Sequence, residues 1–368
     1  MVSSLTRECT DKMAFKTILI LAALAQLLAA GLALRINFRY RIYSAWFLLS
    51  AAASVGAILR LTTLTEHWMQ TPTLFDDRNL WLSSFAALLA SILLLGGMAL
   101  IEPFFVRISE ADKSLRREHR QLSTFVRATE EELKLAQRIQ RRLLPVGDIE
   151  LPHVDIHGVS QPAEWTSGDY FDYLALRSGL TAVVIADVCG HGIGPALLMS
   201  STRASLRGLA PTLDDVGELL TYGNRAVFDC VSPSEFVTLF AACYDSATQS
   251  LHYAGAGHVA YLLRNDGSSH LLEADVPPLG ILSELTVKTR QLNGLQGGEI
   301  LILVTDGILE SRNGSEEMFG EARLLATVAQ FRQQSAATIA KELLQAATDF
   351  TEQRVSQDDI TVVIMKIE

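Results

Sequence analysis

Hydrophobic positions along this 368-residue chain fall into two regimes. In the first third they are continuous: residues 17–34 and 42–59 are uncharged runs of 18 residues each, and residues 79–101 form a third of 23. A helix needs about 20 apolar residues to cross a hydrocarbon core about 30 Å thick. The pattern therefore predicts a transmembrane region over 1–103 with three helices, the first two at the lower limit of length. A buried core helix also explains one such run, and a cleaved signal peptide the first, but three in succession fit neither. From Phe104 the chain becomes charged and free of Gly and Pro until Pro145. Its apolar residues now recur every third or fourth position, at Ile108, Leu115, Leu122, Val126, Leu133, Ile139 and Leu143. The heptad steps Leu115–Leu122 and Val126–Leu133 predict a helical stalk over 104–145. Two arrangements satisfy it: a parallel coiled-coil dimer, or an amphipathic helix laid on its own domain. Pro145 and Gly147 stop the helix.

Beyond residue 146 the runs shorten. Strands are predicted at Thr181–Ala186, Val237–Tyr244, Ser250–Ala254, Ala260–Arg264, Glu299–Val304 and Ile360–Ile367. Helices are predicted at Gly194–Gly208, Val216–Asp229, Glu321–Phe331 and Ala336–Gln353. Strands arriving in groups, followed by paired helices rather than strict alternation, favour stacked sheets flanked by helices in an α+β domain over 146–368.

Charge adds orientation and excludes one class of partner. Arg35, Arg39 and Arg41 follow the first run without an acid, and Arg60 and Arg78 are offset by Glu66, Asp76 and Asp77. Arg107, Lys113, Arg116, Arg117 and Arg120 follow the third. Basic residues stay on the cytoplasmic side, which predicts an outside N-terminus and a cytoplasmic C-terminal bulk in a plasma or inner membrane. Arg7, Lys12 and Lys16 count against that orientation. Residues 146–368 carry 13 Lys and Arg against 29 Asp and Glu, a net of −16. A surface so acidic repels nucleic acid. Cys9, Cys189, Cys230 and Cys243 have no metal-ligand spacing and are expected to be reduced, buried thiols.

The candidate chemistry lies in aspartates at strand ends. Asp187 follows the apolar run 182–186, Asp306 follows 300–304, Asp358 and Asp359 precede 360–364, and Asp169 follows Gly168. Any one of them reads equally well as a turn or cap residue. Together, hard oxygen donors without paired His or Cys point to Mg²⁺ or Mn²⁺ rather than Zn²⁺.

Five motifs in order resemble the metal-dependent, protein phosphatase 2C-like superfamily, in its bacterial branch typified by stage II sporulation protein E and the sigma-B regulators. They are Ala136-Gln-Arg-Ile-Gln-Arg-Arg-Leu-Leu-Pro145, Ser167-Gly-Asp-Tyr-Phe-Asp172, Ala186-Asp-Val-Cys-Gly-His-Gly192, Val304-Thr-Asp-Gly-Ile-Leu-Glu310 and Asp358-Asp-Ile-Thr-Val362. The resemblance implies an αββα sandwich and two divalent cations, Mn²⁺ or Mg²⁺. It places Asp187 with the Val188 carbonyl, Asp169, Asp306 and Asp358 as ligands, with Asp359 and Gly168 supporting them. It also implies a switch helix through Ala136, Ile139, Gln140, Leu143, Leu144 and Pro145. The activity implied is hydrolysis of phosphoserine or phosphothreonine by water activated between the two metals. The substrate would be a phosphorylated regulatory protein of the anti-sigma-factor-antagonist type; the homodimer through the stalk is an expectation from the heptad steps alone. His191 reads either as a proton donor or as a loop histidine packed on glycines, and His258 as structural. Ser167, Cys189, Gly255, Val259 and Ala260 depart from the family pattern, and none is a metal carboxylate. A catalytically silent membrane scaffold of the same fold is the rival reading, and the intact acids speak against it.

Overall fold

The computed structural model describes residues 2–40, 43–69, 78–145, 149–352 and 358–368. Arg41, Asp76, Asp77, Gly147 and Gln353, which entered the readings above, lie outside them. The chain divides into two compact units, Met1–Val126 and Arg127–Glu368.

In the first unit α1 (Val2–Tyr40) and α2 (Tyr43–Met69) are followed by α3 (Arg78–Arg141), which continues into the second unit. Met13–Phe38 and a stretch beginning at Leu88 are long and apolar enough to cross a membrane, whereas the apolar part of α2 spans only Leu49–Thr63. The third apolar run and the stalk are thus one helix rather than two elements. Pro103 lies inside it.

The second unit carries β1 (Ile149–Leu151), β2 (Val154–Gln161), β3 (Tyr170–Ala175) and β4 (Thr181–Val188), then helices α4 (Ile193–Leu209) and α5 (Val216–Phe228). Next come β5 (Val237–Asp245), β6 (Ser250–Ala256), β7 (Ala260–Leu263), β8 (Ser269–Leu272), β9 (Arg290–Asn293) and β10 (Ile300–Val304). The chain ends with α6 (Asp306–Leu309), α7 (Gly320–Phe331), α8 (Ala336–Phe350) and β11 (Ile360–Ile367). Two antiparallel sheets result, of order β1-β2-β11-β10-β7-β8 and β3-β4-β5-β6-β9.

Alternation along the strands builds the layers. Val183 and Ile185 point between the sheets with Leu301, Leu303, Val363 and Phe240. Their neighbours Val184 and Ala186 point outward onto Met199 and Leu206 of α4 and Leu219 and Leu220 of α5. On the other sheet Ile300, Ile302 and Ile364 meet Leu324 and Val328 of α7 and Ile339 and Leu343 of α8. Both faces of each central strand are buried, which is why those strands read as unbroken apolar runs. Cys243 is buried as expected, and burial pushes its thiol up to about 12. Cys230 departs from the expectation and is exposed, because it lies in the turn after α5 rather than in a strand.

Candidate active site

Register brings the aspartates to one edge. Tyr170 pairs with Ala186 across β3 and β4, so Asp169, just before β3, stands opposite Asp187 near the exit of β4. Val304 pairs with Val362 across β10 and β11, so Asp306 and Asp358 lie at the same end of the other sheet. Two threonines stitch the sheets together there. Thr305 donates its hydroxyl to Asp169 Oδ2 at 2.8 Å, and its Oγ1 accepts the Thr361 amide at 2.9 Å. Neither was singled out from sequence, since a buried threonine beside an Asp-Gly turn has no periodic signature.

Close packing fixes the approach of these acids. A Cβ on Gly307 would lie 1.9 Å from the Asp359 carbonyl oxygen, so only glycine lets the Asp306 turn seat against the Asp358–Asp359 segment. A Cβ on Gly168 would lie 2.8 Å from the Val188 carbonyl oxygen. Asp359 holds the loop before β3: its carboxylate accepts the amides of Ala163 and Gly168, both at 2.8 Å. Asp172, the last residue of its motif, is fully buried but serves the fold. Arg207 grips it with two hydrogen bonds of 2.6 Å, and the Tyr170 hydroxyl donates to it.

The electrostatics are those of crowded negative charge. Burial, then neighbouring Asp187, holds the Asp169 carboxyl well above the usual range. Burial and the charges of Asp306, Asp358 and Asp359 push Asp187 up to about 7. Burial and Asp358 also raise Asp306. Among the described residues no three carboxylate, imidazole or thiolate groups already form a closed metal cage. The fit to a divalent cation rests instead on the mutual repulsion of these acids and on their oxygen-only chemistry.

The last turn of α3 reaches the same loop. Gln140 is buried, and its amide pairs with the Ser167 backbone at both ends: Nε2 donates to the carbonyl at 2.6 Å and Oε1 accepts the N–H at 2.9 Å. Lys134 lies 5.4 Å from the centroid of the Trp165 ring. Leu144 packs against both the inter-sheet core and the α4–α5 core, whereas Ile139 remains exposed. Of the other switch-helix positions, Ala136, Leu143 and Pro145 are half-buried.

The two histidines separate. His191 stands in an exposed turn, its Nδ1 3.4 Å from Glu164 Oε1. His258 is buried. Its Nε2 donates to the Val304 carbonyl at 3.0 Å, which leaves Nδ1 to accept the Thr238 hydroxyl at 3.0 Å. Desolvation lowers the His258 imidazole to about 4. A histidine depressed in the folded state takes up its proton more readily when unfolded, so its stabilising share is complete above about pH 6.5 and is lost as pH falls towards 4. That share is about 3 kcal/mol. Pulse proteolysis in urea at pH 7 and pH 4.5 should show a smaller acid loss in His258→Asn; an unchanged loss would mean that His258 is not held neutral.

The family model for stage II sporulation protein E (SpoIIE) matches residues 177–368. Protein IcfG of Synechocystis sp. is 30% identical over 225 residues, covering 54% of this chain and 35% of that protein. Phosphoserine phosphatase RsbU of Bacillus subtilis is 32% identical over 197 residues, 53% of this chain and 58% of its own. The chain thus spans only about a third to three fifths of the length of these relatives. The SiaA-PP2C domain of Pseudomonas aeruginosa shares the fold with a TM-score of 0.58 at 20% identity, over 66% of this chain and 98% of that one.

Proposed function

Because this chain belongs to the stage II sporulation protein E family, we propose that it is a membrane-anchored, metal-dependent serine/threonine phosphatase acting on a phosphorylated regulatory protein. One observation carries the reading: acids from four separated segments lie at one edge of the sandwich, where the charges of Asp306, Asp358 and Asp359 bear on Asp187 and that of Asp187 on Asp169. The same relative that shares 32% identity is named a phosphoserine phosphatase.

In this reading Asp187 with the Val188 carbonyl, Asp169, Asp306 and Asp358 hold two divalent cations, Mn²⁺ or Mg²⁺. When bound, such ions lower the pKa of water and neutralise charge on the phosphoryl oxygens. Asp359 keeps Gly168 and Asp169 in place through its two amide contacts. The substrate is phosphoserine or phosphothreonine on an anti-sigma-factor antagonist or a similar switching protein.

The N-terminal unit is the anchor, multi-pass in the plasma or inner membrane, with the catalytic unit cytoplasmic. Its outer surface is apolar where that of a water-soluble bundle is polar. Leu28, Phe38, Leu59, Leu93 and Leu100 are exposed while Gln26, Asn37, Ser50 and Ser91 are buried, as a lipid environment demands. Exposed Leu115, Leu122 and Val126 on α3 suit a coiled-coil dimer. Through Gln140, the stalk then governs the Asp169 loop.

The full chain in detergent micelles should release phosphate from a phosphoserine protein in millimolar Mn²⁺ and stop on chelation. Turnover that survives chelation, or none from a phosphoserine protein or p-nitrophenyl phosphate at saturating Mn²⁺, would sink the proposal.

A further inference from the structure

Charge on the catalytic unit is unevenly divided. Residues 146–368 carry 13 Lys and Arg against 29 Asp and Glu, yet the end of α3 that leads into them is cationic. Arg127, Lys134, Arg138 and Arg141 follow one another at intervals of seven, four and three residues, which sets them on one helix face. All four are exposed, and none joins an ion pair among the described residues. Glu131, also exposed, is the one acid on that face.

Trp165 meets this face from the domain side. Its ring centroid lies 5.4 Å from Lys134 Nζ, and it lines a groove of about 570 Å³ with Glu131, Lys134, Gln137 and Arg138. An apolar side chain fits against the indole, and the cations at the rim favour carboxylates beside it. Trp165 lies in the loop that carries Asp169. That loop is pinned throughout: Ala163 and Gly168 donate to Asp359, Ser167 pairs with Gln140, and the Asp169 amide donates to Ser167 Oγ at 3.0 Å. A segment held in the groove is therefore anchored four residues of fixed chain from Asp169.

The neighbouring acidic surface decides the size of the partner. A nucleic acid or an anionic bilayer extends beyond the groove and meets that surface, whereas a short acidic stretch of protein meets only the cations. We propose that the Lys134–Arg138–Arg141 face of α3 and Trp165 form a docking surface for an acidic segment of the phosphoprotein substrate, separate from its phosphoserine; this rests on the phosphatase reading. Docking raises the local concentration of the phosphoserine at the aspartate edge and selects among phosphoproteins by charge outside the reacting group.

Two synthetic phosphoserine peptides test this with the full chain in micelles and Mn²⁺. Both carry a flexible Gly/Ser linker of about ten residues, which spans about 15–20 Å, joined to a terminal segment placed before or after the phosphoserine. In one peptide that segment is Asp/Glu-rich around a Leu, and in the other Gln replaces every acid. The wild type should prefer the acidic peptide about tenfold in kcat/KM, through KM rather than kcat, and lose the preference in 0.5 M NaCl. Arg138→Glu/Arg141→Glu should abolish or invert the preference. Arg138→Gln/Arg141→Gln, which leaves Lys134 on Trp165, should reduce it to about threefold. No preference in the wild type with either placement, or one that both double variants retain, would overturn the proposal. So would a preference carried by kcat, which would make the acidic segment an activator rather than a docked anchor. If phosphatidylglycerol in neutral micelles alters turnover only while both arginines are present, with no peptide preference, the face belongs to lipid and the proposal is likewise overturned. Failure of the phosphatase reading is separately visible, as a wild-type chain that turns over neither peptide nor p-nitrophenyl phosphate.

Discussion

Replacing Asp187 by asparagine is expected to lower metal-dependent phosphatase activity by at least about 10³-fold, some 4 kcal/mol of transition-state stabilisation, while making the metal-free protein more stable. The two effects have one cause. Asp187 is half-buried and faces Asp306, Asp358 and Asp359, and each of those charges opposes its ionisation. Without a cation the cluster strains the folded state, so an isosteric neutral side chain relieves repulsion. In a domain of this size each kcal/mol gained raises Tm by about 2–4 °C. With Mn²⁺ the order reverses: the wild type gains stability by mass action, and Asp187→Asn gains little. Melting curves of both proteins, in chelator and in Mn²⁺, measure this directly. A metal-free variant less stable than wild type would assign Asp187 to the fold and remove the metal reading.

The second large effect concerns Gln140, which lies 27 residues before its partner and outside every strand of the sandwich. Gln140→Ala leaves both the N–H and the carbonyl of Ser167 without their partner in a buried setting, at about 1–3 kcal/mol for each group. The loop from Ala163 to Gly168 then keeps its Asp359 contacts, the Trp165–Lys134 contact and the approach of Glu164 to His191. Asp169 is displaced rather than removed, so the expected result is an apparent Mn²⁺ affinity about 10–100-fold weaker, with much of the turnover recovered at high Mn²⁺. Gln140→Glu is the sharper variant, because a carboxylate accepts the Ser167 N–H but repels the Ser167 carbonyl. Hydrogen exchange over 162–169 should rise in both. Full activity at ordinary Mn²⁺ in either variant would show that α3 does not govern the loop.

Legibility in the sequence followed burial. The central strands β4, β10 and β11 are covered on both faces by the other sheet and by helices, so their apolar runs stood out. Strands β8 and β9 did not: Ser269–Leu272 and Arg290–Asn293 are short, largely exposed edges that pair with a single neighbour. β3 was hidden differently, since Asp172 within it is polar and becomes buried only because Arg207 arrives from α4. The terminal turn of α3 was readable as a helix end, but the depth at which Leu144 inserts between two cores was not.

The sequence by itself determined the apolar N-terminal helices, the α+β character of the remainder, and which aspartates stand at strand ends beside glycine, because those features depend on local spacing and residue chemistry. Tertiary structure alone decided which of them work together. Thr305 meets Asp169 from 136 residues away, Asp359 meets Ala163 across 196, and Glu164 meets His191 from a different loop. The physical reason is that strand register and sheet stacking fix such meetings, and both are properties of the closed sandwich rather than of any local stretch of chain.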